Sequence, residues 1–104
     1  MLRIVRFSTE RSLTPQEAFK ALEAADGVVT ASNKVQGVKN CKVYLAAGDL
    51  AFAAEYDGYG AADRILADTG VQATVGLLSQ EFGYIVSGDE FLLEPRQIFP
   101  FLKR

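Results

Sequence analysis

Residues 50–56 read Leu-Ala-Phe-Ala-Ala-Glu-Tyr, and this stretch limits the architecture more than any other. As a β-strand it carries Leu50, Phe52, Ala54 and Tyr56 on one face. The other face carries Ala51 and Ala53, with Glu55 its one charge. A strand with one side in water should alternate with polar residues more clearly. The sheet that holds this strand is therefore expected to need cover on both faces.

The neighbouring segments supply one cover. Leu2 to Ser8 is a compact apolar run that reads as a strand. Leu13-Thr14-Pro15-Gln16-Glu17 reads as a helix start, with Thr14 as N-cap, Pro15 in the first turn and Glu17 completing a capping box. That helix ends either at Gly27 or, if it resumes through Val28–Val35, at Gly37; the β-branched Val28, Val29 and Thr30 are poor helix formers. Cys41 to Leu45 and Leu50 to Tyr56 form a hairpin around a Gly48-Asp49 turn. Ala61 to Asp68 reads as a helix. A stop and a second capping box follow at Thr69-Gly70-Val71-Gln72. Val71, Val75, Leu78 and Phe82 then fall on one helical stripe that ends at Gly83. Ser87-Gly88-Asp89 reads as a turn, with Asp89 and Glu90 as turn and edge charges. Glu90 to Glu94 reads as the last strand, Pro95 as its end. The tail carries Ile98, Phe99, Phe101 and Leu102.

Strand, helix, hairpin, helix, strand is the split pattern of an α+β, ferredoxin-like β-α-β-β-α-β sandwich: a four-stranded antiparallel sheet with two helices on one face. The 104 residues make one domain, 1–104. The second sheet face and the two tail phenylalanines call for burial, and a twofold sheet-on-sheet homodimer would provide it.

Composition removes many functions. The chain has no histidine and one cysteine, Cys41. Ser-His-Asp and Cys-His catalysis, His-ligated zinc or haem, and thiolate clusters are thus excluded, and neither a metal nor a cofactor is expected. Eleven basic against thirteen acidic residues give a net charge of −2 and no basic stripe, so no nucleic-acid partner is expected. No apolar run approaches a membrane span and no signal-peptide pattern is visible; the lone cysteine suits a reducing compartment. The expected location is the cytoplasm, with no membrane partner.

Four segments carry a family resemblance. They are Gly37-Val38-Lys39-Asn40-Cys41-Lys42-Val43-Tyr44, Tyr56-Asp57-Gly58-Tyr59-Gly60-Ala61-Ala62, Thr69-Gly70-Val71-Gln72-Ala73 and Glu90-Phe91-Leu92-Leu93-Glu94-Pro95. In their order and spacing the chain resembles the antibiotic biosynthesis monooxygenase-like proteins of the dimeric α/β-barrel superfamily. The resemblance implies a ferredoxin-like protomer, a homodimer and a pocket between the sheet and its helices. Some members oxygenate aromatic substrates without metal or flavin, and others degrade haem. The aromatic ending the third strand is often tryptophan in active members and is Tyr56 here. Haem-degrading members need a histidine ligand, which this chain lacks.

Five residues are candidate substrate contacts, and each has a plainer reading. Tyr56 can stack on a flat ligand and donate a hydrogen bond, or be a strand-end core tyrosine. Tyr44 faces away from Cys41, Val43 and Leu45 and lines either the pocket or a dimer seam. Ser8 ends the first strand, where a polar side chain can meet a ligand. Asn33 can orient a carbonyl, or sit in solvent near a helix end. Phe82 lines the pocket if there is one. Tyr59, between two glycines, is a lid or a plain loop, and Cys41 reads as a buried small hydrophobe. No catalytic residue stands out. Two functions remain open. One is a small-molecule-binding homodimer, a cofactor-independent monooxygenase-like enzyme for an aromatic or other apolar substrate. The other is a non-catalytic dimeric regulatory or protein-interaction module.

Overall fold

The computed structural model describes residues 1–93; the expected strand end at Pro95 and the apolar tail Ile98, Phe99, Phe101 and Leu102 lie outside the described residues. The elements are β1 (Leu2–Ser8), α1 (Pro15–Ser32), β2 (Val38–Ala46), β3 (Asp49–Tyr56), α2 (Gly60–Ala67), α3 (Thr69–Phe82) and β4 (Ile85–Leu92). The strands form one antiparallel sheet in the order β2-β3-β1-β4, the ferredoxin-like order expected from the alternation of segments.

α1 begins where its cap chemistry requires. The Thr14 hydroxyl accepts from the Glu17 N–H, and the Glu17 carboxylate accepts from the Thr14 N–H. The helix passes through Gly27 and stops short of Gly37. Burial of Ala21, Ala25 and Val28 against the sheet and α3 outweighs the weak propensity of the β-branched run.

Three other expectations are corrected. The second helix start has no Thr69 capping box: the Asp68 carboxylate is the cap of α3 and accepts from the Val71 N–H at 2.9 Å. An aspartate one residue earlier supplies the same oxygen, and α2 therefore ends at Ala67. The hairpin turn is Ala47-Gly48, not Gly48-Asp49; both have positive φ, 55° and 90°, as a two-residue type I′ turn demands. Finally, Ser87-Gly88-Asp89 is no turn but the middle of β4, and the strand runs over Ile85–Leu92 rather than Glu90–Glu94. The register against β1 shifts between Arg6 and Phe7, so Ser87 is bulged. Its hydroxyl is tied to the Ser8 hydroxyl at 2.7 Å and donates to the Arg6 carbonyl at 3.3 Å.

The core fills the space between the sheet and the helices in two parts. Phe7, Leu50, Phe52, Leu78 and Phe82 pack in one, with Phe7 and Phe52 edge to face. Val35, Val38, Cys41, Ala54, Tyr56 and Val71 pack in the other. The opposite face of the sheet carries Leu2, Ile4, Tyr44, Ala51, Ala53, Ile85 and Leu92 together with the charged Arg6, Lys42, Glu55 and Glu90; Tyr44 and Ile85 are more than half exposed. Among the described residues, no helix is long and apolar enough to cross a membrane.

Candidate functional site

Between the sheet and the helices lies a cavity of about 190 Å3. The sheet contributes Val5, Phe52, Ala54, Tyr56 and Cys41, and the helices Val28, Ile65, Val71 and Val75. Cavities of about 150 Å3 lined by such side chains bind benzene, so this one has room for a single ring with a small substituent. Wider hollows exist, including one of about 640 Å3 along Tyr44, Ala53 and Leu92 on the outer sheet face. Another, of about 420 Å3, lies between α1 and the β2–β3 hairpin, along Leu13, Leu22, Leu50 and Tyr84. The interlayer cavity joins strongly apolar walls to a converging set of polar groups (Arg3, Asp89, Tyr56, Ser32 and Gln72), the usual composition of a ligand site.

Arg3 organises one end of it. In β1, Arg3 shares the helix-facing side with Val5 and Phe7, opposite Ala54 of β3. Its guanidinium makes a two-pronged pair with Asp89: Nε donates to Oδ1 at 2.9 Å and Nη2 to Oδ2 at 2.8 Å. Nη1 donates to the Tyr56 hydroxyl at 3.3 Å. The cation also lies 5.2 Å from the Phe91 ring centre and 5.7 Å from that of Tyr56. Phe91 meets Tyr56 and Tyr59 edge to face, at 6.2 and 5.1 Å.

This arrangement sets the protonation states. The hydrogen bond from Arg3 holds the Asp89 carboxyl below its ordinary range, and the one to Asp89 raises the Arg3 guanidinium above its own. Both shifts point to a charged pair at neutral pH. Burial pushes the Cys41 thiol up, so it stays protonated there. The cavity thus presents one cation, one anion already engaged, a phenol and a thiol. Among the described residues, no cluster of three histidine, cysteine, aspartate or glutamate side chains could hold a metal ion.

Of the five candidate contacts, Tyr56 lies in the cavity wall. Phe82 packs in the apolar core around Leu78, outside the cavity. Tyr44 and Ser8 lie on the outer face of the sheet. Asn33 ends α1, where its side chain accepts from the Cys41 N–H at 2.8 Å and donates to the Cys41 carbonyl at 3.2 Å, fastening the helix end to β2. Tyr59 is exposed at the start of α2. Arg3 and Asp89 were not among the candidates. Arg3 was detectable: alternation in Leu-Arg-Ile-Val-Arg-Phe-Ser puts one of its two arginines beside Val5 and Phe7 on the buried side.

No protein-family model and no curated protein sequence matches the chain. Several solved structures do. A protein of Deinococcus radiodurans described as an antibiotic biosynthesis monooxygenase is 15% identical, with a TM-score of 0.71 over 90% of this chain and 94% of that one. SnoaB, a cofactor-independent oxygenase from Streptomyces nogalater, is 11% identical, with a TM-score of 0.67 over 89% of this chain and 92% of its own. Rv0793 from Mycobacterium tuberculosis is 16% identical, with a TM-score of 0.65 over 89% and 95%. Identities this low speak to architecture, not to chemistry. Over about nine-tenths of its length, the chain has the ferredoxin-like fold of the antibiotic biosynthesis monooxygenase-like structures.

Proposed function

We propose that the protein is a homodimer that binds one small apolar or aromatic molecule per chain between sheet and helices, and acts on it as a cofactor-independent, monooxygenase-like enzyme. The interlayer cavity, with Arg3 and Tyr56 directed into it, carries this reading. Likeness to a fold that includes SnoaB, a cofactor-independent oxygenase, supports the reaction class. The exposed Tyr44, Ile85 and Leu92 on the outer face support the dimer.

The site offers no strong base: Asp89 is engaged by Arg3 and Cys41 is protonated. A reaction here would draw on the reactivity of the substrate itself and on its positioning. The same lack of a base favours a second reading, a non-catalytic dimeric regulatory or interaction module.

Native mass spectrometry of freshly purified protein, paired with a denatured mass, tests the binding and the dimer together. Two chains plus a mass released on denaturation is the expected result, and oxygen uptake with the released compound would then support the enzyme. Two chains without any added mass favour the module. A single chain overturns the sheet-on-sheet assembly.

A further inference from the structure

We infer that the cavity selects a monocyclic ligand bearing an anionic group, a carboxylate or a phenolate, with Arg3 as its receptor and Asp89 as the stand-in that neutralises Arg3 when no ligand is bound. The inference rests on the binding reading above and narrows its ligand class.

Three observations lead to it. The first is size: about 190 Å3 matches one substituted ring. The second is donor capacity. A guanidinium has five N–H donors. Three bonds are made within the described residues, two to Asp89 and one to the Tyr56 hydroxyl. Two N–H groups therefore remain for a ligand oxygen even before Asp89 moves.

The third is the asymmetry of the pair. The Arg3 side chain is 15% exposed and the Asp89 side chain 39%. Arg3 is held under two aromatic rings in a central strand, whereas Asp89 stands on the edge strand β4. If a ligand anion takes the place of Asp89, the displaced carboxylate turns into water at small cost. If a ligand cation takes the place of Arg3, a half-buried guanidinium loses its partner and has nowhere to go. The geometry therefore admits anions and penalises cations. A neutral ring leaves the pair intact and gains no charge-assisted bond.

The test is calorimetric titration of the full chain with three probes of matched size: benzoate, benzamide and benzylamine. Benzoate is expected to bind about tenfold or more tighter than benzamide, the worth of one charge-assisted hydrogen bond, and benzylamine not measurably. Asp89→Asn removes the competing carboxylate and should tighten benzoate further without helping benzamide. Arg3→Gln should abolish the preference. Should that variant fail to fold, Asp89→Asn alone decides, because a carboxylate bound elsewhere on the surface would not respond to it. Equal binding of benzoate and benzamide overturns the inference and leaves the cavity reading standing. Weaker benzoate binding by Asp89→Asn also overturns it. If no probe binds, both the inference and the cavity reading fall.

Discussion

Arg3 stays charged at every working pH, so protonation at this end of the cavity falls to Asp89. The Asp89 carboxyl is held below its ordinary value of 3.8 by the hydrogen bond from Arg3. A depressed folded-state pKa stabilises the protein above the unfolded value, and that stabilisation is lost as pH falls through the folded one. Because Asp89 is more than a third exposed, solvent screening limits the pair to about 1 kcal/mol. Asp89→Asn should lower stability by about that amount at pH 7, and the gap should close as the solution is acidified below 3.8. Chemical denaturation of both proteins across this range measures it; a gap that persists into acid would remove the ion pair as its source. Arg3 was readable from the alternation of β1, but its partner was not. The bulge at Ser87 advances β4 by one residue, so Val86 and Asp89, three apart, come to the same side of the sheet. Simple alternation places them on opposite sides.

The same irregularity appears on the other edge strand and shows what element-level patterns convey. In β2 the pairing jumps from Lys39 opposite Glu55 to Lys42 opposite Ala53. Asn40 and Cys41 thus face one residue, Asn40 at a φ of 54°. Val38 and Cys41 are both buried in consequence, and the segment before Cys41 does not read as strand. β1, the start of α1 and the stripe of α3 were legible because each rests on local chemistry: alternation, a capping box, a helical period. The passage of α1 through Gly27 was not, because contact with α3, remote in sequence, keeps that stretch helical. The β2–β3 hairpin leaves room for improvement. Ala47 holds a left-handed φ of 55°, which costs an alanine about 1 kcal/mol or more, and asparagine tolerates that region far better. Ala47→Asn should stabilise the fold by about 0.5–1 kcal/mol, read as a higher denaturation midpoint at unchanged slope. A lower midpoint would mean that the strain is relieved in some other way.

For the molecule as a whole, the two faces of the sheet play different parts. The inner face holds the core and the cavity; the outer face mixes Ile4, Ala51 and Ala53 with the charged Arg6, Lys42 and Glu90 opposite them. Ile4 pairs with Ala53 near the middle of that face. Ile4→Glu should leave the protomer folded, since the side chain is not part of the buried core, and should shift the proposed homodimer to single chains. Sedimentation velocity reads that directly; an unchanged dimer would place the contact elsewhere. The strand order also has a price in time. β1 sits in the centre of the sheet, between β3 and β4, and Arg3 meets a partner 86 residues further along the chain. A ribosome takes on the order of ten seconds to add that many residues. Within that interval β1 can join β3, but its second edge stays open until β4 is made. The nascent chain therefore carries an unpaired strand edge until β4 emerges, the kind of surface that makes incomplete domains prone to aggregate.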